Sequence, residues 1–422
     1  MERKIFNTLL QWKKDKIKKP MLLYGPNSCG KTYSVLDFGK KEYKNTIYFE
    51  CIENIELNYV LEKNNTVDKV IRGLSAISLE TILQEESLII FDNVTVNVLE
   101  KIKKLFLGNS LYHIIMITNQ KNIFIDKKFD DIVIKNMQLV SFSEYLKYMG
   151  KEQLIDFIVD SFKTNVQMPF HTMAFEIYND YILTGGYPEI ITNAECKDIN
   201  ITNAHHQNNS NLQKGMLLLL DNLIDIKRGI EVYDNIFLQL SKDNKKFQYG
   251  LLKQGGRSKE YDNAINYMIN NDIVLRSYKV EDITPPLSKH RDDDSFKLYY
   301  TNSGILFKKL GISYNKLLTD SHTLYLLYEN DLATTLKNSG FNLYYHQSGG
   351  KSEIDFLIQA RSGKIIPIEI VRKNMAKSKS LKLVMNKYEL KEAIRVGEDN
   401  FMVKNGIKYI PFYAVFCLNE II

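Results

Sequence analysis

The stretch that most constrains this chain is Gly25-Pro-Asn-Ser-Cys-Gly30-Lys31-Thr32, which satisfies the spacing G-x4-G-K-[ST] without a mismatch. Pro20 to Tyr24 before it is a short apolar run that reads as a buried strand, and Thr32 to Lys40 after it reads as the start of a helix. A strand that passes through a glycine turn into a helix aims successive backbone N–H groups, and the positive helix end, at one point. That point suits a compact cluster of negative charge. Gly25, Pro26, Asn27, Ser28, Cys29 and Gly30 would form the cradle, Lys31 would reach the β- and γ-phosphates, and the Thr32 hydroxyl would ligate Mg²⁺. The motif predicts a nucleoside triphosphate, ATP with Mg²⁺, as the ligand.

Further apolar runs extend the pattern. Thr46 to Glu50 reads as a second strand, Asn54 to Asn64 as a helix and its end, Ser87 to Asp92 as a third strand and Tyr112 to Thr118 as a fourth. Ile5 to Lys18 reads as an amphipathic helix with Ile5, Leu9, Trp12 and Ile17 on one side. Strands separated by helices predict a parallel α/β sheet covered on both faces, with ligands at the strand carboxyl ends. Asp92 there is the natural second metal-site residue, a Walker B acid. Asn93 follows it, where a glutamate would polarise the attacking water; an amide orients water but takes no proton. Asn119, after the fourth strand, suits either a γ-phosphate sensor or a plain turn. Hydrolysis is therefore expected to be slow or dependent on another group. Arginine is absent between Arg72 and Arg228; the nucleotide domain has only Arg3 and Arg72, so Arg228, Arg257 or a neighbouring subunit would have to supply a transition-state cation. Homo-oligomer formation is left open on that account.

At 422 residues the chain is long enough for two to four domains, and 44% hydrophobic residues suffice for proper cores. A formal charge of +6 permits nucleic-acid contact without arguing for it. Cys29, Cys51, Cys196 and Cys417 lie far apart without C-x-x-C spacing, which argues against a disulfide scaffold or zinc site and for a reducing compartment. The first residues lack an apolar signal core, and the longest aliphatic run, Met216 to Leu220, is cut by Asp221. The expectation is a soluble cytoplasmic protein with no membrane partner.

Beyond Val140-Ser-Phe-Ser-Glu-Tyr-Leu146 the pattern turns helical. Phe170 to Leu183 runs into the stop Thr184-Gly-Gly-Tyr-Pro-Glu189, and Asn193 to Gln213, with His205-His206, reads as a polar loop or insertion. A helix over Glu260 to Asn271, a strand over Ile273 to Val280, a loop over Glu281 to Ser295 and a strand over Phe296 to Thr301 outline a winged helix. Its loop carries Asp292-Asp-Asp294, which would repel phosphate, so protein contact is favoured over DNA reading.

The last hundred residues hold a second constellation. Ser352 to Ile358 alternates, with Glu353 and Asp355 on one face; Arg361 to Lys364 makes a turn, and Ile365 to Val371 returns carrying Glu369. A strand acid, a hairpin and E-x-K is a metal-dependent nuclease pattern, in which carboxylates hold Mg²⁺ and lysine steadies water or phosphate. Glu329 on a preceding helix would add a carboxylate. Val371 stands where the lysine belongs, and Lys373 is the nearest substitute on that face. A hairpin with exposed acids is the plainer reading.

Taken together, LLYGPNSCGKT, LIIFDN, LVSFSEYL, TGGYPE, FKLYYTNSGIL, YEN, EIDFLI, IPIEI and Lys379-Ser-Leu381 resemble the uncharacterised prokaryotic AAA-like, archaeal-ATPase-related proteins. The resemblance runs from about residue 20 to 390. It implies a P-loop ATP-binding domain over residues 1–145, a helical lid and polar insertion over 146–215, a winged-helix-like domain over 216–310 and a degenerate restriction-endonuclease-like, PD-(D/E)xK-like α/β domain over 311–422. The family usually has Asp-Glu for Asp92-Asn93, Glu-x-Lys for Glu369-Ile-Val371, and a Gly-Arg before SF-x-E. The leading expectation is an ATP-dependent switch whose C-terminal module contacts nucleic acid or a partner protein. The alternatives are an active ATPase with a metal-dependent DNase, and an interaction scaffold with structural nucleotide.

Overall fold

Five short strands build the first sheet: β1 (Met21–Tyr24), β2 (Asn45–Glu50), β3 (Ser87–Asp92), β4 (His113–Thr118) and β5 (Val133–Asn136). The computed structural model describes residues 1, 3–106, 108–121, 130–193, 223–312, 314–348, 352–372 and 379–421. The chain divides into two units, Met1–Val140 with Asn270–Asp272, and Ser141–Ile269 with Ile273–Ile422.

In the first unit the strand order is β2-β3-β4-β1-β5, and every pairing is parallel. Both β3 and β4 are buried along their whole length, which is why they read as continuous apolar runs rather than alternating ones. Leu57, Leu61, Val70, Leu74, Val98 and Ile102 belong to the same core as Ile89, Phe91, Ile114 and Met116. Because the strands are parallel, Tyr24, Glu50, Asp92 and Thr118 all end at one edge of the sheet. The first helix covers Ile5–Lys14, shorter than expected. Asp15 is already extended, and Ile17 is 74% exposed instead of sharing the buried side with Ile5, Leu9 and Trp12.

The second unit holds one eight-stranded sheet. Its strands are β6 (Val274–Val280), β7 (Arg291–Tyr300), β8 (Tyr344–Ser348), β9 (Ser352–Gln359), β10 (Ile365–Ile370), β11 (Ala393–Gly397), β12 (Met402–Lys404) and β13 (Ile407–Pro411), in the order β12-β13-β11-β10-β9-β8-β6-β7. The hairpin read as a wing is β6 with β7, and it continues through the parallel pair β6–β8 into this sheet. Asp292, Asp293 and Asp294, expected in a loop, lie within β7. There β7 pairs back on Lys279 and Val280 across a bulge, and strand pairing outweighs the poor strand preference of aspartate. A capping box closes the start of the helix Phe142–Tyr148, with Ser141 accepting from the Glu144 N–H and Glu144 accepting from the Ser141 N–H.

Of the polar stretch read over 193–213, Asn193 ends the helix Pro188–Asn193, while His205, His206 and the rest lie outside the described residues. Among the described residues no helix is long and apolar enough to cross a membrane, and Cys29, Cys51 and Cys417 are buried free thiols.

Candidate functional site

The turn after β1 is shaped by close backbone approach. A Cβ on Gly25 would meet the Met137 carbonyl oxygen at 2.0 Å, so only glycine fits there. Gly30 has φ 91°, in the left-handed region that suits glycine, and caps the helix Lys31–Glu42. From the start of the chain, Arg3 reaches into this turn: its guanidinium donates to the Cys29 carbonyl at 2.6 Å and to the Gln138 carbonyl at 2.7 Å. Arg3 is 8% exposed. Its charge is thus committed to bracing the loop, and it is not available as a transition-state cation. Arg72 lies exposed on the helix Val67–Ser78.

Lys31 is buried, and its ammonium donates to the carbonyls of Gly25 at 2.9 Å and Pro26 at 2.7 Å. Burial pulls its pKa below the ordinary lysine value, opposed by Cys29 and Asp92. A bound phosphate would restore that lost solvation. Thr32 donates to Asp92 Oδ2 at 2.5 Å, joining the loop to the end of β3. A hydroxyl and a carboxylate, two hard oxygen donors held side by side, fit the requirements of Mg²⁺.

Asp92 is more heavily bonded than its sequence position suggests. Its Oδ2 also accepts from the Tyr48 hydroxyl at 3.1 Å, and its Oδ1 accepts from the Asn93 N–H at 2.8 Å. Asn93 sits at φ 53°, a conformation asparagine tolerates better than most residues, and its amide donates to Glu50 Oε2 at 3.0 Å. Glu50 is the register partner of Asp92 on β2. Tyr48 bridges the two acids, with its hydroxyl 3.4 Å from Glu50 Oε2. Burial, with Asp92 and Glu50, raises the Tyr48 pKa, so this hydroxyl remains a neutral donor. Sequence reasoning missed Glu50 and Tyr48. The available signal was that β2, like β3, ends on an acid. Asn119 follows β4, partly exposed, at the same sheet edge, between the strands that carry the loop and Asp92.

In the second unit, β9 and β10 pair antiparallel, and the register ends with Ile368 opposite Phe356, the residues next to Glu369 and Asp355. Asp355 Oδ2 accepts from the Ile370 N–H at 2.8 Å. Glu329, buried on the helix Ser321–Asn338, accepts from the Tyr299 hydroxyl at 3.0 Å and pairs with Lys245. Lys297, 1% exposed, pairs with Glu353 at 2.8 Å. Glu369 pairs with Arg395 at 2.7 Å, and Arg395 donates in turn to the Tyr409 hydroxyl at 2.8 Å.

These cations govern the acids. Burial alone would raise the pKa of Glu329, but Lys245 and Lys297 overbalance it and hold the carboxyl below its usual range. Among the described residues Asp355 has no such ion pair; burial and then Glu329 push its pKa up, opposed more weakly by Lys297 and Lys245. Lys373 lies outside the described residues, and Val371 offers only backbone, its N–H donating to the Val396 carbonyl at 2.8 Å. Among the described residues no group of three or more His, Cys, Asp or Glu side chains is arranged to hold a metal ion. Lys245, Lys297 and Arg395 were also missed from sequence, because each lies far along the chain from the acid it neutralises.

Two family profiles match the second unit, both described as domains of unknown function: DUF8612 over residues 175–316 and DUF4143 over residues 326–415. No curated protein matches the chain. Among solved structures, the chain is similar to the Walker-type ATPase PABY2304 of Pyrococcus abyssi, at 10% identity and a TM-score of 0.40 over 74% of this chain and 96% of that one. It is similar to Drosophila ORC bound to DNA at 12% identity and a TM-score of 0.28, over 72% of this chain and 94% of that one. For C. elegans PCH-2 the identity is 15% and the TM-score 0.26, over 44% of this chain and 59% of that one. In the first unit the G-x4-G-K-T turn, the parallel sheet and the acid at the end of β3 meet at one sheet edge.

Proposed function

We propose that this chain is an ATP-dependent switch: the first unit binds ATP with Mg²⁺, and the nucleotide state governs what the second unit presents to a nucleic acid or a partner protein. The observation that carries the reading is the Thr32–Asp92 hydrogen bond, which brings the last residue of the loop motif onto the acid of β3. Lys31 supplies charge to the β- and γ-phosphates, the backbone N–H groups of residues 27–32 cradle them, and Thr32 and Asp92 would hold Mg²⁺. When bound, the ion neutralises phosphate charge and orients the β- and γ-oxygens. Arg3 keeps the loop in shape for this.

The second unit is proposed to keep a nuclease-like arrangement of Glu329, Asp355 and Glu369 for docking and not for cleavage. Lys245 and Arg395 already neutralise two of these carboxylates, so a metal would have to displace an ion pair to bind. Calorimetry of ATP with Mg²⁺ against wild type and Lys31→Ala tests the switch reading. Saturable binding by wild type and a loss of at least tenfold in the variant is the expected result; equal affinities would sink it.

A further inference from the structure

We infer that Glu50, at the end of β2, is the general base for hydrolysis of the bound nucleotide, with Asn93 as the amide that holds its carboxylate in place. The inference rests on the ATP-binding reading above and assigns a role to a residue outside the loop and Asp92. Three observations carry it. Glu50 and Asp92 are register partners on adjacent parallel strands, so both side chains leave the sheet at its ligand-binding edge. The position after Asp92 holds an amide, which accepts no proton from water, yet that amide donates to Glu50 Oε2 at 3.0 Å. A carboxylate therefore stands one hydrogen bond from the residue that would otherwise carry it. Finally, Tyr48 links Glu50 to Asp92 through one hydroxyl, and Asp92 is bonded to Thr32. Glu50 is thus linked to the phosphate loop through the Tyr48 hydroxyl and Asp92.

Asn93 adopts φ 53°, a left-handed conformation that asparagine tolerates better than most residues, whereas Glu50 ends the regular strand β2. Its Oε1 also accepts from the Ile52 N–H at 3.2 Å, which orients the carboxylate without protonating it.

The step balances as follows. A water oxygen attacks the γ-phosphorus while its proton passes to a Glu50 carboxylate oxygen. The bond between the γ-phosphorus and the β–γ bridging oxygen breaks, its electron pair leaving with ADP. Glu50 then returns the proton to the phosphate product or to solvent.

The test compares wild type, Glu50→Gln, Glu50→Asp and Lys31→Ala by three readouts: ATP affinity by calorimetry, single-turnover hydrolysis, and trapping of ADP with aluminium fluoride. Glutamine keeps the shape and the Asn93 contact but takes no proton. The expected result is that Glu50→Gln binds ATP within about threefold of wild type, loses roughly 10²–10⁴-fold in hydrolysis and traps ADP–aluminium fluoride poorly, while Glu50→Asp recovers part of the rate. If wild type binds ATP and Glu50→Gln hydrolyses it at the wild-type rate, or if wild type binds ATP without any turnover, Glu50 is not the base. If wild type binds no ATP, the nucleotide reading itself fails, and calorimetry separates that outcome from the other two.

Discussion

Thr32 and Asp92 are sixty positions apart in sequence and share a 2.5 Å hydrogen bond, which joins the loop after β1 to the end of β3. Hydrogen bonds to charged groups are worth about 1.5–3 kcal/mol. Asp92→Asn keeps the shape but removes the charge that favours a divalent cation. The variant should still bind ATP weakly, and its affinity should respond at least tenfold less to added Mg²⁺. Titrating Mg²⁺ at fixed ATP checks this; an unchanged Mg²⁺ response would remove Asp92 from the site.

Arg3 should matter as much to the loop as residues within the motif. Arg3→Ala would leave two carbonyls, on Cys29 and Gln138, without their donor. Each unsatisfied buried group costs about 1–3 kcal/mol, so with two carbonyls affected the variant should lose roughly 2–6 kcal/mol of stability and bind ATP more weakly. Arg3→Lys can replace one bond but not the fork, and should fall between. Chemical denaturation with parallel ATP titration would expose a wrong assignment, if Arg3→Ala were as stable as wild type.

His113 opens β4 as a buried neutral imidazole. Its Nδ1 lies 2.9 Å from the Tyr43 hydroxyl, while Nε2 has no hydrogen-bond partner among the described residues. Burial, with Lys18 and Lys13 nearby, lowers its pKa from 6.5 to about 4. A group depressed in this way binds more protons when unfolded between those two values, so stability falls as pH drops from 6.5 towards 4. The loss reaches roughly 3 kcal/mol at the acid end of that window. Denaturation at pH 7 and pH 5 should show a smaller difference in His113→Phe than in wild type. An identical pH dependence in the two would overturn the assignment.

In the second unit, Lys297→Met should be costly near neutral pH. Removing one member of a buried ion pair typically costs about 3–5 kcal/mol, and the lower figure applies because Glu353 is partly exposed. The penalty should shrink as pH falls, since burial and Glu329 hold the Asp355 pKa up at about 6, and Asp355 is one of the acids facing Lys297. A pH series of melting curves reads this directly; a penalty that grows on acidification contradicts the electrostatic account.

Plasmid DNA with Mg²⁺ or Mn²⁺ tests the docking reading of the same unit. No nicking is expected from wild type, because Glu369 is paired with Arg395 and Val371 carries no charge. Metal-dependent nicking that disappears in Glu369→Ala would reverse that conclusion and assign Glu369 a metal.

How much was legible in the sequence depended on how far apart the cooperating residues lie. The phosphate loop could be read directly, because its cradle, its lysine and its hydroxyl are neighbours along the chain and backbone conformation alone arranges them. The strands β3 and β4 could be read because a sheet buried on both faces demands continuous apolar runs. Alternation likewise placed Glu353 and Asp355 on β9. None of this revealed Glu50 at Asn93, Arg3 under the loop, or Lys245, Lys297 and Arg395 against the C-terminal acids. Each of those pairs spans 26 to 84 positions. Their meeting depends on strand register and burial, and a charge acquires its partner and its pKa only once the folded chain has excluded water around it.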